Sequence, residues 1–396
     1  MARPAHALYF VEDLSRNFYV AGMARESVDG QESDRRSAGD PPRVSVIIVN
    51  FNGARLLPAC LDSLAASTCP NREVIVVDNA SSDDSLQVLE RYPWVKVVRC
   101  ERNLGFAGGN NAGLKHCTGD YVLLLNNDTI VDPGFIEPLR DYLTRQPHVA
   151  VVQGKMRLPR FGDTLDACGS FLTFLGVPYH YGLYKPDGPK YRRPYPVFSA
   201  KGACLMFRRD IINRVGGFLF DEDFFCYYEE TDFCHRVWLA GYEVHFVPGP
   251  PIQHLMGATA GDPRGPKVLR RYLSNMAFSL MANLSFPSRV RILPFFFALV
   301  SASLLLSLLS LRMESAAAYW AVLTGWIPRY GRIRSRRRMI RLLRTRSDRR
   351  VFERVLRNPR LSYFIKTFRG DLRSYEDEEF DSRAASASEY GRITST

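Results

Sequence analysis

The sequence predicts an α/β fold, a doubly wound and mostly parallel sheet followed by a C-terminal helical region. Three observations carry this. Four apolar runs of strand length alternate with helix-period segments between residues 44 and 126, and each run stops at a cluster of Asn, Asp or Gly. Beyond residue 259 the pattern changes to long apolar helices with basic flanks. Strands alternating with helices imply parallel pairing through right-handed crossovers.

The elements follow in order. The first strand is VSVIIVN (44–50), with a helix over 55–67 behind it; EVIVVD (73–78) precedes a helix over 85–91; VKVVRC (95–100) precedes a helix over 107–116. The fourth run, YVLLLN (121–126), is the most apolar and ends on Asn127 and Asp128. A run buried on both faces and ending abruptly in polar residues is what a central parallel strand looks like, and open α/β sheets bind ligands at such strand ends. A helix over 135–143 and a strand over 149–153 come next. Residues 157–196 are rich in Tyr, Pro and Gly and read as a long irregular excursion. Loops of that length are functional or disordered, and the aromatics argue for order with ligand contact; a packed hairpin with surface tyrosines is the competing reading. The segment KGACLMF (201–207), a helix beginning near Glu229 and a strand over 243–247 complete the domain, and His254 follows.

The chain has 396 residues, enough for one large domain with appendages, and its net charge of +12 points to an anionic partner: a phosphorylated substrate, an acidic membrane surface or nucleic acid. Eight scattered cysteines without a C-x-x-C pair suggest reduced thiols in a cytosolic domain. Residues 1–23 carry Glu12, Asp13 and Arg16 and lack a sustained apolar core, so they do not read as a secretory signal; 1–42 is expected to be a flexible leader.

The polar clusters share one sheet edge: Asn50 and Asn52 after the first strand, Asp78 after the second, Asn103 and Gly105 after the third, Asn127 and Asp128 after the fourth. No G-x-G-x-x-G follows the first strand and no G-x-x-x-x-G-K-[ST] occurs, which argues against a dinucleotide dehydrogenase or a P-loop enzyme. Asp78 can accept hydrogen bonds from a base or ribose, or it can cap an Asx-turn. Glu229, Glu230 and Asp232 follow an aromatic run at a helix start; they answer the helix dipole or they include a general base in a partly dry pocket. Arg236, one turn past Asp232, is placed to pair with one of these acids. His254 alone reads more easily as structural than as a ligand.

Taken in order, VSVIIVNFN, VVDNASSDDS, NLGFAGGNNAG, LLLNNDT, KGACLMFRR, VGGFLFDEDFF, YYEETDFCHR and a terminal His resemble the family-2 inverting glycosyltransferases of the GT-A fold, in particular rhamnosyltransferase-like bacterial members. The resemblance covers about residues 43–257, and the domain it implies is 43–258. It implies a nucleotide-diphosphate sugar donor held by Asn50, Asn52, Asp78, Asn103, Gly105, Asn127 and Lys201. It implies a divalent metal, Mg2+ or Mn2+, on Asp128 with His254 as a second ligand. The catalytic base would be Glu230, with Glu229 and then Asp232 behind it. In the metal element Asn126 stands where many relatives have an aspartate, and Glu230 stands where they have an aspartate base. The implied acceptor is lipid-linked or a polysaccharide in cell-surface glycan synthesis. A nucleotidyltransferase on a similar fold and an inactive membrane tether are the rival readings.

Residues 259–328 read as amphipathic and hydrophobic helices. The stretch 292–311 is uncharged and long enough to cross a bilayer core, whereas 316–327 is too short. Basic residues flank both runs, so a hairpin or re-entrant anchor on the cytoplasmic face of the cell membrane is expected. Residues 329–396 are expected to form a basic amphipathic helix on anionic lipid and then a disordered tail, with nucleic acid an unlikely partner.

Overall fold

Every strand of the predicted edge cluster joins one eight-stranded sheet in the computed structural model, which describes residues 41–255, 265–369 and 372–375. The expected leader, apart from Pro41 and Pro42, and the tail beyond Tyr375 lie outside the described residues. Strands β1 (Val44–Asn50), β2 (Arg72–Asp78), β3 (Lys96–Arg99) and β4 (Tyr121–Asn126) pair in parallel in the order β3-β2-β1-β4. The order reverses between β1 and β4, so the cleft opens where Asn50, Asp78 and Asn126 end their strands.

Past β4 the sheet becomes mixed. After β5 (Thr129–Val131), β6 (Val149–Gln153), β7 (Met156–Leu158), β8 (Thr164–Leu165), β9 (Ser170–Phe171), β10 (Tyr179–His180) and β11 (Tyr195–Pro196), strand β12 (Cys204–Arg208) inserts antiparallel between β4 and β6. β13 (Glu243–Phe246) then runs parallel to β6, with β11 on its outer edge. A second sheet, in the order β5-β14-β7-β8, includes β14 (Ile252–His254) and pairs His254 with Thr129, the residue after Asp128. Backbone register therefore sets the distance between the two expected metal ligands.

The alternating apolar residues of β1, β2 and β4 fill two cores. Ile47, Ile75, Val77, Val122 and Leu124 face one, while Val46, Ile48, Val74, Val76, Leu123 and Leu125 face the other. Helix α1 (Leu57–Ala65) buries Leu57, Cys60, Leu61 and Leu64 on the second face; α2 (Ser85–Leu89) is a short connector. Helix α3 (Gly105–Leu114) covers the first face with glycines: a Cβ on Gly113 would stand 2.7 Å from Ile47 Cγ2 and 3.0 Å from Val77 Cγ2. The run GFAGGNNAG is thus a close-packing surface. Gly113→Ala should lower stability by about 1–3 kcal/mol through overpacking, although alanine is the better helix former, and a denaturant titration measures it.

Helices α4 (Ile136–Arg145) and α5 (Ile211–Arg214) are followed by α6 (Glu229–Leu239), buried along most of its length. The excursion 157–196 differs from both expectations. Tyr179, Tyr181, Tyr191 and Tyr195 are buried and packed ring to ring with Phe171, so they form core instead of touching a ligand or decorating a surface.

From Pro42 onward the chain forms one compact unit that includes the C-terminal helices. These are α7 (Pro266–Asn283), α8 (Phe286–Leu309), α9 (Met313–Thr324), α10 (Tyr330–Leu343), α11 (Asp348–Val355) and α12 (Leu361–Arg369). The basic amphipathic helix expected from residue 329 onward is two helices, α10 and α11. Its apolar residues Ile340, Val351 and Val355 are buried in the protein core, so that face is not free for lipid. α8 alone among the described helices is long and apolar enough to cross a membrane by length and composition, with a mean hydropathy of 2.4 over its most apolar stretch and only 22% of that stretch buried.

Candidate active site

The nucleotide end of the cleft is a hydrogen-bonded set of loops around one unpaired carboxylate oxygen. Asp78 is 3% exposed; its Oδ2 accepts from the Ser81 amide at 3.3 Å, and its Oδ1 is buried without a partner. A buried acceptor left open is costly unless a ligand fills it. The asparagines named from the sequence bond to one another and to the neighbouring loops. Asn127 Nδ2 donates to Asn50 Oδ1 at 2.8 Å, Asn50 Nδ2 donates to Ser81 Oγ at 3.2 Å, and Asn52 Oδ1 accepts from the Ser82 amide at 2.8 Å. Asn103 Oδ1 accepts from the Gly105 amide at 2.8 Å and from Asn79 Nδ2 at 3.1 Å. Their side chains therefore pin the loops that wall the cleft. Gly105 has φ +71°, and a Cβ there would collide with the Phe225 carbonyl, so only glycine fits. Asn79, not singled out from the sequence, ties the second loop to the third by also donating to the Gly105 carbonyl at 3.0 Å.

The metal end is built by the second sheet. Asp128 is buried, and its Oδ1 has no hydrogen-bond partner. His254 Nε2 lies 3.5 Å from that oxygen, too long for a good hydrogen bond. On its other side, His254 Nδ1 is 2.9 Å from Asp166 Oδ2. Asp166 is fully buried and also pairs with Lys201 Nζ through Oδ1. Burial works against the ionised carboxylate, yet Lys201 and His254 hold Asp166 well below the usual range. Burial also opposes charge on His254, but the two aspartates raise its pKa to about 9. An orphaned carboxylate oxygen facing an imidazole nitrogen whose other nitrogen is held by a carboxylate fits a divalent cation. Asp128 and His254 are the residues that could hold one.

A second group, His148, Glu243 and His245, has ligand atoms within 4.8 Å of one another, at the opposite edge of the sheet. There Arg354 donates to Glu243 at 3.0 Å, Arg346 stands 3.8 Å away, and His245 uses both ring nitrogens on Tyr142 and Glu243. The arginines already neutralise that carboxylate, which disfavours a cation.

The acids stand across from Lys201. Three aromatic residues before them are left-handed: Phe225 (φ 61°), Tyr227 (φ 71°) and Tyr228 (φ 75°). Each costs of order 1–3 kcal/mol and needs its surroundings to hold it. Asn275 of α7 does so by donating to the carbonyls of Phe224, Cys226 and Tyr227 at 3.0, 3.2 and 2.8 Å. The arc delivers Glu229 and Glu230 into the first turn of α6. Glu229 is 4% exposed and its Oε2 has no partner; burial, with Glu230 beside it, pushes its pKa well up. Glu230 is less enclosed; burial raises it to about 7 against the pull of helix hydrogen bonds and Lys201. A Cβ on Gly202 would lie 3.8 Å from Glu230 Cβ, which puts this acid beside the Lys201 loop.

Asp232, third among the sequence-named bases, is corrected to a structural role. Its Oδ2 meets Arg236 Nε at 3.0 Å and Arg336 of α10 at 3.2 Å, while Oδ1 accepts from Ser279 and Asn283 of α7 at 2.9 Å each. Despite burial, Arg336 and Arg236 bring its pKa down to about 2. The carboxylate has no capacity left for a substrate proton. Arg236 makes the ion pair expected of it, and with this acid.

Asp166, which sequence reasoning missed, holds both Lys201 and His254, and His254 in turn faces Asp128. The available signal was an acid between Leu165 and Ala167 in an otherwise apolar stretch. The family model described as Glycosyl transferase family 2 matches residues 45–216. The chain is 29% identical to an N-acetylglucosaminyl-diphospho-decaprenol L-rhamnosyltransferase of Mycobacterium tuberculosis, over 55% of this chain and 78% of that protein. It is 30% identical to the O-antigen biosynthesis protein RfbC of Myxococcus xanthus, over 46% of this chain and 15% of that one. In fold it is similar to GalNAc-T7, solved with UDP, GalNAc and Mn2+: TM-score 0.59, 16% identity, covering 83% of this chain and 58% of that one.

Proposed function

We propose, from the premise that this chain is a family-2 glycosyltransferase, that it transfers a sugar from a nucleoside diphosphate to a lipid-linked acceptor with inversion. The observation that carries this is the acid pair. Glu229 is buried and Glu230 half-buried beside the Lys201 loop, both with raised pKa values, and the same domain holds a buried Asp128 oxygen and a His254 imidazole with no bridging partner between them. In this reading Asp78 Oδ1 accepts from the base or ribose of the donor. Asp128 and His254 hold the divalent cation, which when bound neutralises the leaving diphosphate. Glu230 takes the proton of the acceptor hydroxyl as its oxygen bonds to the anomeric carbon; the bond from that carbon to the diphosphate oxygen breaks, and its electron pair leaves with the nucleoside diphosphate. The mycobacterial relative's name specifies L-rhamnose and an N-acetylglucosaminyl diphospholipid, which makes a deoxyhexose donor and such an acceptor the first pair to assay.

The test is a panel of nucleotide-sugars assayed for nucleoside diphosphate release with Mn2+ or Mg2+. Release that needs the metal and is abolished in Asp128→Ala supports the reading. Pyrophosphate release from a nucleoside triphosphate would favour a nucleotidyltransferase instead.

We also assign the exposed apolar surface of α8 and its turn into α9 to the cytoplasmic face of the membrane. Leu306, Leu309 and Leu311 are 64%, 73% and 82% exposed there. Packing does not need these side chains, so Leu306→Lys with Leu309→Lys should leave the melting temperature unchanged while at least halving the membrane-bound fraction in flotation. Full retention on membranes would sink the assignment.

A further inference from the structure

The first turns of α7 carry Lys267, Arg270 and Arg271, three and four residues apart and so on one helix face. All three are exposed, and none pairs with a carboxylate among the described residues. Arg271 is nevertheless fixed. Its guanidinium stacks 4.5 Å from the centre of the Phe225 ring and reaches Cys226 Sγ at 3.2 Å, which places it against the left-handed arc that delivers the acids. Its charge is felt by Glu229, whereas the charge of Lys201 is felt by Glu230. Arg271 thus stands at the arc leading into Glu229, and the Lys201–Gly202 loop stands beside Glu230. Lys201 belongs to the Asp166–His254 side, where a donor diphosphate would sit.

The apolar hairpin begins at the other end of α7 and folds back along it. Leu280 and Ile292 flank the same glycine, Gly176; the Tyr319 hydroxyl meets Ser303; and Val322, Gly325 and Trp326 share a small cavity with Ser274, Ala277 and Phe278. α7, α8 and α9 accordingly run up, down and up. At 1.5 Å per residue, α8 extends about 26 Å beyond Ile292, and α7 extends about 21 Å back from Leu280 to its start. On these lengths an α8 lying antiparallel to α7 carries the exposed leucines of the α8–α9 turn slightly past the cationic turn of α7. An amphiphile with its chain in a bilayer at that turn would hold its polar head level with Arg271.

From this we propose that Lys267, Arg270 and Arg271 form an acceptor subsite for the phosphate groups of a lipid-linked acceptor, with Arg271 as its centre. The inference rests on the transferase reading above and names the acceptor class. A nucleophile attacking opposite a leaving diphosphate approaches from the face away from that diphosphate, and in this proposal Arg271, beside the arc that carries Glu229, holds the acceptor there. Arginine's planar fork matches phosphate oxygens bidentately, and stacking on Phe225 keeps it oriented.

The experiment titrates farnesyl diphosphate, and farnesol as control, into the full chain in neutral detergent micelles with EDTA, so that metal-held diphosphate is removed. Wild type should bind the diphosphate at least tenfold more tightly than farnesol. Arg271→Ala should lose at least tenfold, Arg271→Lys should recover part of that, and Lys267→Ala and Arg270→Ala should each lose a few fold. Near-ultraviolet circular dichroism checks that the variants are folded; should Arg271→Ala not fold, Arg271→Lys and Arg270→Ala carry the comparison. Equal affinity for the alcohol and the diphosphate overturns the subsite. So does a loss confined to phosphatidylglycerol vesicles with micellar farnesyl diphosphate binding intact, since the turn would then read lipid headgroups. Diphosphate binding as expected, with no nucleotide-sugar turned over by wild type, would refute the transferase reading and leave the anion site standing.

Discussion

Glu230→Gln is expected to lower the rate of glycosyl transfer by roughly 10²–10⁴-fold, the usual worth of a positioned general base, with nucleotide affinity retained. Steady-state transfer assays with a binding titration of the nucleoside diphosphate check both halves. The pH profile follows from the geometry. Glu230 has its pKa raised to about 7 by burial, so the fraction competent as a base falls as pH drops through that value, and kcat/KM should fall with it. Wild-type activity that stays flat from pH 8 to pH 5 would remove Glu230 from the role. Stability moves the opposite way. A carboxyl whose folded pKa lies above its unfolded one contributes stability below the unfolded pKa and loses it as pH rises through the folded value. Glu229→Gln and Glu230→Gln should therefore melt higher than wild type at pH 8 and lose that advantage near pH 4. A site that gains stability when its acids are neutralised is one whose burial serves chemistry.

The second large effect is at Asp232. Asp232→Ala should destabilise the protein by about 3–5 kcal/mol, because it leaves the buried Arg236 without its counter-charge. Arg236 is fully buried, and its other hydrogen bonds go to the carbonyls of Val215, Phe218 and Leu219, which carry no full charge. Asp232 also joins three helices, since α7 and α10 both reach it from positions 47 to 104 residues along the chain. Its folded pKa, near 2, lies below the unfolded value, so this stability is present above about pH 4 and is lost as pH falls towards 2. Urea titrations from pH 7 to pH 2 should show wild type converging on the variant at the acid end. Parallel curves would mean that the ion pair is not what the acid transition breaks.

These two neighbours, two residues apart, mark how far sequence reading reaches. Both are acids in the first turn of one helix, and local pattern ranks them as similar candidates. Their fates diverge because Glu230 points to the Lys201 side, whereas Asp232 meets Arg336, 104 residues later. The same holds for Asp166, which is 88 residues from His254 and sits in a stretch without a motif. The excursion tyrosines read as ligand contacts because exposure cannot be seen in composition; packing against Phe171 decided otherwise. The basic helix failed in the same way, since its apolar face could serve lipid or core and only the docked fold chose core.

What the sequence by itself determined is what depends on near neighbours. The strand runs, the polar stops at Asp78 and Asp128, the glycines of α3 and the apolar stretch of α8 are all local patterns of period and punctuation. The tertiary structure decided which polar atoms were left without partners. Asp78 Oδ1, Asp128 Oδ1 and Glu229 Oε2 stand open, while the side chains of Asn50 and Asp232 are satisfied. The reason is physical. A side chain's chemistry depends on what desolvates it and what pairs with it, and in this chain those partners come from strands and helices that only the fold brings together.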